Sequence, residues 1–418
     1  MVNSTVVIFL LVYLAMALGK LPGFKLDRTG SALVGALALL VIGDITGQEA
    51  WDAINYKTIA LLFGLMVLSG AFGISGFYNY ATYKVASLKV SNPLLLAILI
   101  GVSGVLSSLL TNDVVVVAMT PLLISLTMAR NLNPIPFVLG FCFAANTGSA
   151  GTLIGSPQNM IVAQDLHLSF IDLIKVAGIP SLISLVIVWG VISFLYRGKW
   201  ALAEVAVQKR SQSLGGVHNG GNKIAMNKLE LAKAVVVTVV VIGAFILDLW
   251  PQALVALAGA AILLLNRTIS SKDVLKEVDY NLLILIVSLF VVNQAMANTG
   301  LPQTFLADLK AQGLNLNEPV SLFFSSAVLS TIVGNNPAVM LLTPYIDISA
   351  NTDALGAALV LGTGFSSNII VFGSLAGIIA VEQSSQHGIT ITFREFSRAG
   401  MPVALACLMM AMLWILLL

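Results

Sequence analysis

Long apolar runs separated by short polar joints fill the chain, and several runs are themselves interrupted by small polar residues. A helix needs roughly 20 apolar residues to cross about 30 Å of hydrocarbon. The pattern predicts such spans at 4–19, 29–45, 57–75 and 171–195. Between the last two lies an amphipathic stretch, Phe77 to Val90, suited to the membrane surface. It is followed by a broken apolar pair, 92–110 and 114–129, split at Thr111-Asn112-Asp113, and by a Gly/Asn-rich broken span at 136–163. Beyond a polar linker, 200–228, the scheme repeats with spans at 229–250, 252–266 and 280–298 and a surface segment at 301–313. A second broken pair, 318–333 and 337–349, surrounds Gly334-Asn335-Asn336, and a broken span at 354–381 leads to a closing span at 396–418.

The two schemes keep register about 224 residues apart. Gly35, Tyr56, Gly76, Asn112, Thr120-Pro121, Asn146 and Gly151 in the first copy answer to Gly259, Tyr280, Gly300, Asn335, Thr343-Pro344, Asn368 and Gly373 in the second. Duplicated apolar halves with interruptions at matching points are the build of secondary carriers, which bind at the interface of the halves. The chain therefore divides into a first repeat, 1–199, with hairpin 92–129; the linker 200–228; and a second repeat, 229–418, with hairpin 318–349. The expected class is an all-α polytopic membrane protein with an inverted repeat: about ten transmembrane helices, two re-entrant hairpins and two broken helices.

Composition agrees, since 58% of the 418 residues are hydrophobic and 10% charged, against roughly 25% charged in soluble domains. The apolar run from Val6 to Leu18 lacks the preceding positive charge of a signal peptide, because Lys20 follows it, and reads as a retained first helix. If both broken pairs are re-entrant, each copy makes five crossings. Eighteen lysines and arginines then share one side and Lys57, Lys175 and Lys310 remain for the other. The positive-inside rule makes the richer side cytoplasmic, with linker 200–228 inside and both termini outside a bacterial-type inner (plasma) membrane. Cys142 and Cys407 provide neither a disulfide framework nor a thiolate metal cage, and no metal, cofactor or nucleic acid is expected.

The polar interruptions are the candidate chemistry. Thr111, Asn112, Asn146, Thr147, Ser149 and Thr152 in the first copy, with Asn335, Asn336, Ser367 and Asn368 in the second, offer amides and hydroxyls beside freed helix ends. The site is expected to contain no basic residue. Asp113 is the lone carboxylate at a tip, its counterpart being the neutral Asn336. Intramembrane acids belong to ion or proton paths, so Asp113 is the candidate proton carrier, with helix capping as the structural alternative. Cys142, one helical turn before Asn146, is a further candidate for facing the site. His167, His218 and His387 lie at segment ends or in the linker. No His-Glu-x-x-His motif and no nucleotide-binding glycine motif occurs, so the chain reads as a carrier and not an enzyme.

Leu110-Thr111-Asn112-Asp113 with Thr120-Pro121, Gly151-Thr152-Leu153-Ile154-Gly155-Ser156-Pro157-Gln158-Asn159, and Asn335-Asn336-Pro337 resemble the ion transporter superfamily of secondary carriers. Within it the chain is most similar to the ArsB-type arsenite and antimonite permeases, relatives of the melanosomal P protein and of citrate-metal and divalent-anion carriers. The resemblance implies elevator-type alternating access, often as a dimer, and allows a separate ATPase subunit. It implies proton-coupled efflux of arsenite or antimonite, with a small organic or inorganic anion (dicarboxylate or citrate type) or sodium–proton exchange as alternatives. The tips depart from the Ser-Asn-Thr of the sodium-coupled dicarboxylate branch, whereas the Gly-Ser-Pro-Gln-Asn motif is shared with the P protein and anion-permease branches. Arsenite near neutral pH is mainly an uncharged trihydroxide, which a cavity of amides, hydroxyls and one carboxylate suits.

Overall fold

The computed structural model describes residues 4–201, 226–347 and 351–418; most of the linker, with Lys209, Arg210 and Lys223, lies outside the described residues. The first half comprises α1 (Ser4–Leu18), α2 (Arg28–Ile42), α3 (Gly47–Ala53), α4 (Tyr56–Ile74), α5 (Phe77–Ala86), α6 (Asn92–Leu109), α7 (Asn112–Ala129), α8 (Pro134–Ser149), α9 (Pro157–Asp165) and α10 (Phe170–Leu195). The second half repeats this order as α11 (Lys228–Leu247), α12 (Gln252–Leu264), α13 (Ser271–Leu275), α14 (Tyr280–Asn298), α15 (Leu301–Ala311), α16 (Pro319–Val333), α17 (Asn335–Leu342), α18 (Thr352–Ser366), α19 (Leu375–Gln386) and α20 (Phe393–Ile415). Seven of these helices are long and apolar enough to cross a membrane unaided. The short α3 and α13 were not expected from hydropathy, because caps rather than apolar runs start them. Thr46 and Glu49 form a reciprocal capping box, and Ser270 accepts from the Asp273 amide at 3.2 Å.

Named contacts fix the direction of each helix. Thr29 Oγ1 donates to the Asn281 carbonyl at 3.3 Å, so α2 and α14 start at one end of the molecule. At the other end Asn55 donates to Asp165 at 3.4 Å and Gln164 to Gln252 at 3.0 Å, gathering the starts of α4 and α12 around the finish of α9. The equivalent helices α2 and α12 therefore begin at opposite ends, as do α4 and α14, and the second half is inverted. The halves interlock reciprocally, with α2 packed on α14 and α12 on α4.

The broken pairs are hairpins that turn at mid-depth. Arg130 Nη1 donates to the carbonyls of Ala86 and Leu88 at 2.7 and 3.0 Å, which holds the finish of α7 beside the start of α6. The turn between them lies on the break between α8 and α9, where the Asn112 amide donates to the Gly155 carbonyl at 3.0 Å. Since α8 and α9 together carry the chain from end to end, a turn at their break is re-entrant. The α16–α17 turn sits likewise near the finish of α18, Ser330 Oγ donating to the Thr363 carbonyl at 3.3 Å. Irregular backbone at this depth survives only where protein or a wet cavity covers it.

Glycine lets the first hairpin seat. A Cβ on Gly148 would stand 2.5 Å from Gly104 Cα and 2.9 Å from its carbonyl oxygen, where α8 crosses α6. Helix association in lipid depends on such close backbone packing. Gly148→Val should wedge the hairpin away and lower the melting temperature in detergent. Gly190→Val, at a position with open space around it, should not. Equal melting curves for the two variants would refute this packing account.

Candidate functional site

The first hairpin tip and the two helix breaks meet through one chain of amides. Asn146, in the last turn of α8, accepts from Asn112 Nδ2 at 3.4 Å. Its own Nδ2 donates to Asn368 Oδ1 at 2.8 Å and to Ser374 Oγ at 2.9 Å. Asn368 in turn donates to the Phe143 carbonyl at 3.3 Å. Asn159 braces the first break by donating to the carbonyls of Ser149 and Thr152 at 2.8 and 2.7 Å. At the second tip Ser330 donates to Asn335 Oδ1 at 2.7 Å. The Asn146–Asn368 centre of the network is buried, so its bonds satisfy polar groups away from water, while Asn112, Asn335 and Ser374 border the cavity.

Local chemistry dictates both breaks. A Cβ on Gly155 would collide with the Ser149 backbone, and one on Gly373 would lie 2.8 Å from the Ser367 carbonyl oxygen. Pro157 then opens α9 at the position where a missing amide hydrogen costs nothing. The shared geometry aligns Ser149 with Ser367, Gly155 with Gly373 and Ser156 with Ser374. This corrects the expected register: Asn146 and Asn368 are not equivalent by symmetry, and Gly151 does not answer to Gly373. The two asparagines are instead direct partners across the halves.

A cavity of about 500 Å³ extends from the tips toward the starts of α2 and α14. Asn112 and Asp113 of the first tip face it together with Asn335 and Asn336 of the second, joined by Gln158 and Ser374. The first turns of α7, α9, α17 and α19 all border it, so four positive helix ends converge there. Asn336 Oδ1 and Thr111 Oγ1 are buried without a hydrogen-bond partner in the structure. At the first tip Asn112 Oδ1 accepts the Asp113 amide at 2.9 Å, and the Thr111 N-cap position makes no side-chain cap, so the helix start does not lean on the Asp113 carboxylate. The half-buried Asp113 carboxylate borders the cavity itself. Gly334, with φ of 91°, supplies a tip conformation that residues with a side chain rarely adopt.

The charge pattern differs from expectation, because the cavity does contain a basic residue. Arg28, at the start of α2, borders it and donates to the Phe372 carbonyl beside the second break at 3.0 Å, while its Nε is buried without a partner. The predicted span 29–45 leaves Arg28 just outside it, counted only among the basic residues of one side. The inverted packing of α2 against α14 brings it under the second tip instead. Asp27, Asp279 and Glu382 border the same cavity, so with Asp113 there are four acidic side chains to one guanidinium.

The remaining candidates stand behind the cavity. Ser149 and Ser367 donate to carbonyls three residues back, those of Asn146 at 2.9 Å and Gly364 at 2.6 Å. Thr152 donates to the Ser108 carbonyl of α6. Thr147 is wholly buried with its hydroxyl unpartnered. Cys142 is a free, buried thiol packed in the core and does not border the cavity.

Comparison with known proteins adds a family to this geometry. The family described as citrate transporter matches residues 11–364. The uncharacterized transporter slr0753 of Synechocystis is 30% identical over 94% of this chain and 93% of its own length. The silicon efflux transporter LSI3 of Oryza sativa is 25% identical over 92% of each chain. The putative transporter arsB of Dictyostelium discoideum is 33% identical, but over only 38% of this chain and 28% of its own. Among solved structures, the YdaH transporter of Alcanivorax borkumensis, described as having an unusual topology, aligns over 98% of this chain and 96% of its own. Its TM-score is 0.54 at 16% identity, a likeness of fold.

Proposed function

This chain belongs to the citrate transporter family, and from that premise we propose that it is a proton-coupled carrier exporting a small uncharged hydroxide of the arsenite or antimonite type. The observation that carries the reading is the cavity lining: amides and four helix N-termini for hydrogen bonding, with four acidic side chains against Arg28. Such a lining repels a polyanion, yet it supplies donors and acceptors to a neutral polyhydroxide. Arsenous acid is such a solute, and the similarity to a silicon efflux transporter and, over a shorter stretch, to a putative arsB transporter supports this class. Asp113 is the proposed proton carrier, with Asn112, Asn335 and Asn336 as substrate contacts and the buried Thr111, Asn146 and Asn368 behind them as their support. Transport across the interlocked repeats 1–199 and 229–418 proceeds by elevator-type alternating access. The end bearing Arg28 and the linker is cytoplasmic, which makes the conformation inward-facing. A homodimer and an optional ATPase supplied by a second chain complete the proposal.

The second reading is carriage of an organic anion of the citrate or dicarboxylate type, favoured by Arg28 and the four converging helix ends. Sodium–proton exchange is the third, favoured by the acidic lining. Everted vesicles under an imposed pH gradient, acid inside, discriminate among them. Accumulation of arsenite, but not of citrate or succinate, is the expected result. Uptake of either carboxylate without arsenite would replace the first reading with the second, and gradient-linked sodium movement alone would install the third.

A further inference from the structure

A second cavity, of about 450 Å³, lies at the linker end, away from the hairpin tips. Its walls are the finish of α10 with Tyr196 and Lys199, the start of α8 with Asn133, and the first turns of α20 with Arg394, Glu395 and Arg398. The walls are fixed in place. The Asn133 amide donates to the Trp200 carbonyl at 2.8 Å, Asn133 Nδ2 donates to the Lys199 carbonyl at 3.2 Å, and Leu132 and Ala201 form an antiparallel bridge.

The chemistry of this cavity is that of an anion receptor. Lys199, Arg394 and Arg398 form no ion pair among the described residues. The one acidic group, Glu395, takes a hydrogen bond from the Tyr196 hydroxyl at 3.4 Å. A surplus of two positive charges therefore faces a cavity with the Tyr196 ring as a buried wall.

Fold symmetry does not demand this arrangement. In the first half, the turn equivalent to 394–398 carries Ile171, Asp172 and Lys175, and there the lysine is already paired with Asp172 at 3.3 Å. Orientation by the positive-inside rule requires basic residues at this end but does not require three of them to converge on one cavity. Phe194 and Phe393, each next to a wall residue in sequence, are 77% and 54% exposed, the dress of side chains that lie in lipid at a bilayer interface.

We propose that this cavity binds the phosphate-bearing headgroup of an anionic phospholipid, with Arg394, Arg398 and Lys199 on the phosphate and the acyl chains lying over Phe194 and Phe393. Basic pockets between membrane helices on the cytoplasmic side have the chemistry for such headgroups. A soluble phosphate compound would meet the same cations but would make no use of the exposed rings.

The test is lipid binding by the full-length protein in detergent, read by native mass spectrometry and thermal melting. The probes are cardiolipin, phosphatidylglycerol, chain-matched phosphatidylcholine and inorganic phosphate. Retention and stabilisation by the anionic lipids, and not by phosphatidylcholine, are expected. Arg394→Gln/Arg398→Gln should weaken cardiolipin binding roughly 25-fold, about fivefold per arginine lost. Lys199→Gln, on a different element, gives an independent loss should the double variant not fold. Equal binding of anionic and zwitterionic lipid, or unchanged binding by both variants, would overturn the proposal. Stabilisation by inorganic phosphate to the same extent as by lipid would overturn the lipid as the source of the anion.

Discussion

Asp113→Asn should abolish gradient-driven accumulation of substrate, to the level of vesicles lacking the protein, while leaving the fold intact. The local geometry separates these two effects. At the tip Asn112 accepts the Asp113 amide, so the helix start does not depend on the carboxylate. Asparagine has nearly the same shape as aspartate and is an equally good helix-start residue. What the substitution removes is a titratable group bordering the cavity between four helix N-termini. A carrier without its proton site can still bind a neutral hydroxide and let it equilibrate, but cannot couple its movement to the gradient. The variant should thus show substrate exchange at equal concentrations across the membrane that is insensitive to pH. Preserved gradient-driven accumulation in a well-folded Asp113→Asn protein would remove Asp113 from the coupling path and turn attention to Asp279 and Glu382. A parallel Asn336→Asp variant adds the missing acid at the second tip. Its effect on the number of protons moved per substrate tests whether the tips play unequal roles.

The architecture was legible in the sequence because lipid punishes unpaired backbone. Where Gly, Pro and Asn interrupt an apolar run, the helix either ends or is braced, and both outcomes leave the residues visible. The tips at Asn112 and Asn335 and the breaks around Gly155 and Gly373 fall where the pattern put them. Arg28 was not legible as a cavity residue. Charge counting sees which end of a span it occupies, and only the cross-packing of α2 and α14 reveals which neighbours it meets. The register of the broken spans was misread for a different reason. Asn146 and Asn368 lie equally close to a break and share a residue type, which mimics equivalence. The close approach of Gly155 to Ser149 and of Gly373 to Ser367 sets the true alignment. Residue types alone also could not separate Asn112, which borders the cavity, from Thr152 and Ser149, whose hydroxyls are spent on helix carbonyls.

Asn146→Ala should be the most damaging single truncation in the core, while Thr147→Val next to it should be harmless or mildly stabilising. Asn146 holds three partners from three segments: Asn112 of the first tip, Asn368 at the end of α18 and Ser374 at the start of α19. On truncation, Asn112 and Ser374 border the cavity and can turn to water, so each loses only the net worth of one bond. Asn368 is wholly buried, and its Oδ1 is left without the donor it had. An abandoned buried acceptor costs about 1–3 kcal/mol and each rehydrated bond about 0.5–1.5 kcal/mol, so the truncation should cost about 2–6 kcal/mol in all. Thr147 is the opposite case, since its hydroxyl is buried and already lacks a partner. Valine keeps the shape and removes a polar group that gains nothing from burial. Melting temperatures of the two variants in detergent should therefore move apart, falling for Asn146→Ala and holding or rising for Thr147→Val. The same contrast should appear in transport, because Asn146 is the bond through which the first tip and the second break are held at a common depth. If the two variants melt together, the amide chain does not join the halves, and the cavity must be held by helix packing alone.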